Sequence, residues 1–453
     1  MPFIPHTEEE TQHMLAEIGI NNIEALFSEI PTLLKSHSIT NIPEGLTEIE
    51  LFAHVEQELS QDSVALNFAG AGSYEHHIPA CVWDLVSRGE FLTAYTPYQA
   101  EVSQGTLQCL WEYQTMMASL MGHPVSNASL YDGASALAEA ILMGLRVKKA
   151  EHPVIFMPDT VHPFYRHTVQ ALLEFHSVEM VSIPYNCQEG HISLQALEEA
   201  YEKTKACTLC IIPQPNFFGI LEDASSITDW AHEKNALVIG VVNPTAMAWL
   251  KPPGQWGTKG ADIACGEGQP LGVPLNRGGP YFGFLTCQSQ FIRQLPGRLV
   301  GETVDAQNNR AFTLTLQARE QHIRRAKATS NICTNQGLLV TAATIYMSLL
   351  GPYGLKKVAQ VSHHQSQKLC RSLQALNGFQ VIFNRPFFHE ITIRCPVSAP
   401  ILIERMLEQN ILAGISLEET YPELDNALLI SVTETKTDLH LQQYLDALKV
   451  AVR

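Results

Sequence analysis

The stretch Pro213-Gln214-Pro215-Asn216-Phe217-Phe218-Gly219-Ile220-Leu221-Glu222-Asp223 decides how this chain folds. It follows the apolar run 209–212, and its prolines, asparagine and glycine mark a turn at a strand end. A helical stretch, 224–234, then leads to a second apolar run, 236–242. Outward from this unit the same alternation repeats. Apolar runs with β-branched or aromatic content stand at 154–157, 178–183, 262–264 and 281–286, with helical stretches at 160–176 and 193–205. Apolar strands separated by helices imply a mostly parallel sheet covered on both faces, an α/β architecture.

Near Gly351-Pro352-Tyr353-Gly354 the pattern changes. A helix to about 376, strands at 379–383 and 390–394, a helix from Pro400, a strand at 428–433 and a helix at 439–452 predict an α+β unit. At the other end, Thr7-Glu8-Glu9-Glu10 reads as a capping box opening a helix to about Gly19, with a second helix before Pro31. The expected division is a helical arm over 1–65, a large domain over 66–350 and a small domain over 351–453.

The 453 residues carry a formal charge of -17 with no lysine- or arginine-rich run, which argues against nucleic-acid binding. No signal peptide is read at the N-terminus, and no apolar run approaches the ~20 residues of a membrane span. The ten cysteines are scattered, and Cys207 and Cys210 fall in an apolar run, so reduced, packed thiols in a cytoplasmic protein are expected. His76-His77 and His363-His364 are adjacent pairs that do not share a helix face. With no H-E-x-x-H and no G-x-S-x-G, neither a metal site nor a serine triad is expected.

Two segments concentrate polar groups before a helix. The first, 93–105, holds Tyr95, Thr96, Tyr98, Gln99, Glu101, Ser103 and Gln104, and Leu107, Leu110, Trp111, Gln114 and Met117 then fall near one helix face. Amides at a helix start can hold an anion, and an ordinary capped turn has the same composition. The second, 127–135, holds Ser129, Asp132 and Gly133. Small residues suit a phosphate cradle, but without a P-loop lysine a helix cap is the better unaided reading.

Longer motifs carry a family resemblance. They are Phe68-Ala69-Gly70-Ala71-Gly72-Ser73-Tyr74, His77-Ile78-Pro79, Tyr95-Thr96-Pro97-Tyr98-Gln99, Glu101-Val102-Ser103-Gln104-Gly105, Glu112-Tyr113-Gln114-Thr115-Met116, Gln321-His322-Ile323-Arg324-Arg325 and Lys327-Ala328-Thr329-Ser330-Asn331-Ile332-Cys333-Thr334. Together they resemble glycine dehydrogenase (decarboxylating), the P-protein of the glycine cleavage system, over essentially the whole chain. The resemblance implies the fold-type I architecture of pyridoxal-phosphate-dependent transferases. That family occurs as one chain of two homologous halves or as two subunits, and this chain resembles the N-terminal half, subunit 1.

In the family's cofactor-bearing half a His-Lys pair follows a Gly-Ala-Asp strand and precedes a glycine-rich turn. Here, between Gly260-Ala261-Asp262 and Gly278-Gly279-Pro280, the pair is Gln269-Pro270, and proline has no amine to form an imine. The aspartate expected after the strand 237–242 is Asn243. Lys251 and Lys259 are the nearest lysines, and both precede the Gly-Ala-Asp strand. The resemblance therefore implies pyridoxal phosphate on a partner, subunit 2, in a heterotetramer acting on glycine and on the lipoyl group of H-protein. Tyr95, Thr96, Tyr98, Gln99, Glu101, Ser103 and Gln104 are then candidates for a substrate or lipoyl channel. Asn243, Gln269, Pro270, Ser129, Asp132 and Gly133 would mark a degenerate cofactor site. A self-sufficient pyridoxal-phosphate lyase or transaminase and a non-catalytic ligand-binding protein are the alternatives.

Overall fold

A computed structural model describes residues 5–35, 42–43, 45–62, 64–276 and 278–452. The chain divides into two units, Met1–Ser63 and Val64–Arg453. In the first, Thr7 and Glu10 close the expected capping box on the helix Glu8–Ile18, which ends at Gly19 in the left-handed conformation. The second helix expected before Pro31 is a short 3-10 turn, Ile23–Phe27, capped by Asn22. A further helix, Glu48–Gln61, has its own capping box from Thr47 and Glu50.

The second unit is built on a seven-stranded sheet. Its strands are β1 (Val125–Ser126), β2 (Val154–Pro158), β3 (Glu179–Ile183), β4 (Leu209–Gln214), β5 (Leu237–Val242), β6 (Ile263–Glu267) and β7 (Gly283–Cys287), in the order β1-β7-β6-β5-β4-β2-β3. Strands β2 to β6 run parallel; β7 and β1 are antiparallel to their neighbours. Successive strand residues point to opposite faces. Cys210, Ile212, Val238 and Val242 join one core. Leu209, Ile211, Leu237, Ile239 and Val241 join the core on the other side. Helices α1 (Gln104–Met121), α2 (Gly133–Lys148), α3 (Pro163–Leu173), α4 (Leu194–Thr204) and α5 (Ala224–Glu233) accompany the sheet, and the central strands β4 and β5 are buried along their whole length.

The turn 213–223 holds its shape through one buried side chain. Asn216 Oδ1 accepts from the amides of Phe218 and Ile220, while Nδ2 donates to Gly190 O and to Glu222. Gly219 has φ +83, and a Cβ there would collide with the backbone of Glu390, so only glycine permits this approach.

The hairpin β8 (Leu299–Val304) and β9 (Arg310–Thr315) has no counterpart in the sequence expectations. The following helix, α6 (Gly337–Gln374), runs through the position where the pattern changes. Gly351 is non-helical with φ 58 and ψ -176, and Pro352 follows it, so two helical segments meet there across a kink. By length and composition α6 could cross a membrane, with a mean hydropathy of 1.4 over 18 residues, a run the sequence reading does not register. Half of that window is buried inside the protein, where Leu339, Val340, Tyr346 and Met347 join the large core.

Beyond α6 lie β10 (Gln380–Val381), β11 (Glu390–Arg394), β12 (Ile415–Ser416) and β13 (Ala427–Ser431), an antiparallel sheet in the order β10-β11-β13-β12. Leu66–Asn67, placed by the sequence at the start of the large domain, instead pairs with Ile411–Leu412, and Phe68 packs on Tyr444. All ten cysteines are free thiols. Burial pushes the Cys210 thiol up to about 12 and that of Cys207 higher still, the state of packed, unreactive sulfur.

Candidate functional site

In an open parallel sheet, ligands bind beyond the carboxyl ends of the strands where the order reverses. Here β2 lies between β3 and β4, and the chain reverses at that point. A cavity of about 80 Å³ opens there, lined by Pro213 near the end of β4 and Pro215 after it, Asn243 after β5, Glu267 ending β6, and His162 and Tyr165 after β2. His389 and Glu390 reach it from the small sheet.

Of the expected degenerate-site residues, Asn243 and Pro270 line this cavity, while Gln269, Ser129, Asp132 and Gly133 do not. Asn243 Oδ1 accepts from Thr245 N and Ala246 N, capping the turn Pro244–Met247. Pro270 lines the cavity. Gln269 stitches two loops, accepting from Tyr74 N at 2.8 Å and donating to Tyr74 O and Val273 O. Ser129 is buried and accepts from Gln336 N at 3.2 Å. Asp132 caps α2 through Ser135 N at 2.7 Å. Removing that cap in Asp132→Ala is expected to lower stability by about 1 kcal/mol, read as a shift in the urea midpoint with unchanged slope.

The N-terminus of α2 is the natural phosphate position in such a fold. Gly133 N instead donates to Glu267 Oε2 at 3.0 Å, and Gln269 N donates to the other carboxylate oxygen at 3.1 Å. A Cβ at Gly133 would collide with the Tyr165 hydroxyl, so a phenol and a carboxyl group crowd the first turn of α2. Burial raises the Glu267 carboxyl to about 8, so it is mostly protonated at neutral pH. Glu390, which accepts from Ala71 N and the Tyr74 hydroxyl, is raised by burial to about 7.

His162 stacks on Tyr165 with ring centroids 4.9 Å apart. Its Nδ1 accepts from Phe164 N, which leaves Nε2–H to donate to Ala71 O at 2.8 Å. Desolvation lowers its pKa to about 4, so the ring is neutral. His389 is 1% exposed with neither ring nitrogen hydrogen-bonded, and burial holds its pKa well below the usual range. Lys251 and Lys259 are exposed and outside the cavity, whose lining contains no lysine. Pyridoxal phosphate does not fit these residues: the amine, the aspartate and the phosphate seat are all missing.

The loop 95–105 forms a second constellation. Tyr95 is 79% exposed, and Tyr98, Gln99 and Glu101 also face solvent. Tyr95 and Thr334 share a hydroxyl hydrogen bond of 3.1 Å, and Tyr98 meets His322 edge-on at 5.4 Å. Thr96 O accepts from Tyr98 N, and Ser103 O accepts from Leu107 N at the start of α1. Gln104 is half-buried, and its amide exchanges hydrogen bonds with both backbone groups of Phe312 on β9. The fold thus joins two motifs some 230 residues apart, and Gln104 fastens the loop to the hairpin.

Sequence reasoning missed Glu267, Tyr165, His389 and Glu390. Glu267 had a usable signal, a lone carboxylate closing an apolar strand at the Gly266-Glu267-Gly268 turn. His389 and Glu390 arrive from the other end of the chain, with no local mark.

The family described as glycine cleavage system P-protein matches residues 1–448. A protein of Nitrosomonas europaea named probable glycine dehydrogenase (decarboxylating) subunit 1 is 54% identical over 452 residues, covering 100% of this chain and 99% of its own. Its counterpart from Coxiella burnetii is 55% identical over 449 residues, covering 99% of each chain. The inhibitor-bound crystal structure of a glycine decarboxylase (P-protein) superposes with a TM-score of 0.90 at 40% identity, covering 100% of both chains. A glutamate decarboxylase of Lactobacillus brevis, with a TM-score of 0.67 at 13% identity over 92% of this chain and 95% of its own, shares the fold.

Proposed function

Because the chain belongs to the glycine cleavage system P-protein family, we propose that it is the cofactor-free subunit 1 of a glycine-decarboxylating pair. The observation that carries this reading is the Glu267 carboxyl group on Gly133 N, next to Pro270. A chain with its own phosphate seat filled supplies structure and contacts to a partner that keeps that seat open. Pyridoxal phosphate, held by subunit 2, supplies the electron sink for decarboxylation. Homologous halves pair across a pseudo-twofold axis, and two such pairs make a heterotetramer. The substrates are glycine and the lipoyl arm of H-protein, and the compartment is the cytoplasm.

In this reading the exposed loop 95–105 faces the partner's site. Tyr95 and Tyr98 offer hydroxyls, Glu101 a carboxylate, and Thr96, Gln99 and Ser103 complete a polar lining. Gln104 positions the loop through β9. The chain reconstituted with subunit 2 tests this by the rate of aminomethyl transfer from glycine to H-protein. Tyr98→Phe or Glu101→Gln is expected to lower turnover roughly 10- to 100-fold with assembly intact. Unchanged turnover in both variants would return the loop to a structural role.

A further inference from the structure

Three buried N–H donors belong to residues that line one small cavity apart from the cavity at the strand ends. Arg298 Nε, Arg319 Nε and Asn335 Nδ2 have no acceptor, and these residues line a space of about 10 Å³ together with Thr329, Ser330 and Glu320. Arg298 is 3% exposed. Its Nη1 donates to Asn335 Oδ1 at 3.0 Å, and its Nη2 to Cys333 O at 2.8 Å and to the Tyr98 hydroxyl at 3.4 Å. All three acceptors are neutral. A buried guanidinium without a counter-charge is costly, and natural interiors pair it. Arg319 donates to Gly297 O at 2.8 Å. The carboxylate lining the cavity, Glu320, also lies 3.6 Å from His322 Nδ1.

The cavity shares Arg319 and Thr329 with an outer recess of about 350 Å³, lined also by Arg293, Arg324 and Lys327 and by no acidic residue. In a chain of net charge -17 this is a local reversal of sign. The inner space is about one water in size, so an occupant enters by a single small acceptor atom while the recess holds the rest.

We propose that this pocket binds a carboxylate, one oxygen of which takes the free N–H groups of Arg298, Arg319 and Asn335. The guanidinium of Arg298 also lies 5.5 Å from the Tyr98 ring centroid, so the carboxylate is coupled to the exposed loop. The carboxylate belongs either to a free amino acid the size of glycine or to an acidic side chain of the partner subunit. Only the second source rests on the pairing proposed above.

The experiment is a titration of the full chain, labelled with nitrogen-15 at arginine, with sodium acetate at constant ionic strength. The Arg298 and Arg319 Nε–H resonances are expected to shift with saturation. Asn335→Asp places a carboxylate beside Arg298, and is expected to abolish the acetate response while keeping or raising the melting temperature. A shift that never saturates, or that saturates identically in Asn335→Asp, would overturn the proposal. Repeating the titration with subunit 2 present separates the sources. Loss of the acetate response identifies a partner side chain; its persistence identifies a free carboxylate. Because the first titration needs no partner, its failure is distinct from failure of the pairing.

Discussion

Borohydride reduction of the purified chain after incubation with excess pyridoxal phosphate is expected to trap no stoichiometric lysine adduct, and the mixture is expected to show no aldimine absorbance. An imine needs an amine at the cavity, and Pro270, which lines it, has none. A stoichiometric adduct on Lys251 or Lys259 would overturn this. The stronger form uses Pro270→Lys, which restores the amine alone. That variant too is expected to stay colourless, because the Glu267 carboxyl group and the Tyr165 hydroxyl still occupy the N-terminus of α2. Asn243 also remains an uncharged amide spent on a helix cap. A yellow, reducible Pro270→Lys protein would show that the lysine was the sole defect and that the filled phosphate seat is incidental.

The second large effect is on stability against pH. Burial raises the carboxyl groups of Glu222 to about 7, Glu390 to about 7 and Glu267 to about 8, from 4.5. Each therefore binds its proton more tightly folded than unfolded. The stability it contributes is complete below pH 4.5 and is lost as pH rises through the folded value. The opposing groups, the histidines His123, His162, His191 and His389, have lowered values, so they cost stability only as pH falls below about 6.5. The carboxyl effect stands clear between pH 6.5 and 8. At about 1.4 kcal/mol per pH unit for one proton, the parent chain should lose about 2 kcal/mol relative to Glu267→Gln across that interval. The amide mimics the protonated acid and keeps an oxygen for Gly133 N. Urea unfolding of both proteins at the two pH values measures it, and parallel curves would mean Glu267 is ionised in the fold.

Much of the architecture was legible in the chain, for local reasons. The strands β2 to β7 and the helices between them follow from apolar runs and turn residues near each other in sequence. The capping box at Thr7 is a four-residue pattern and formed as expected. What escaped lacks such a local mark. In hairpin β8–β9 the first strand shows no alternation of burial, and the alternation in the second rests on only two buried residues, Phe312 and Leu314. Leu66 and Asn67 form a two-stranded sheet of their own with Ile411 and Leu412, more than 340 positions away. Gly351-Pro352 signals an interruption, and helical geometry does break at Gly351.

For the site, the chain by itself determined which groups are absent: no amine at Pro270 and no carboxylate at Asn243, since side-chain chemistry is a property of the residue. Tertiary structure decided what stands in their place. Gly133 and Glu267 lie 134 positions apart, and Ala71 and Glu390 lie 319 apart. Neither contact exists until parallel strands bring their carboxyl ends together and the small sheet closes over them. That burial, which no residue carries alone, is what raises the Glu267 and Glu390 carboxyl groups to about 8 and about 7.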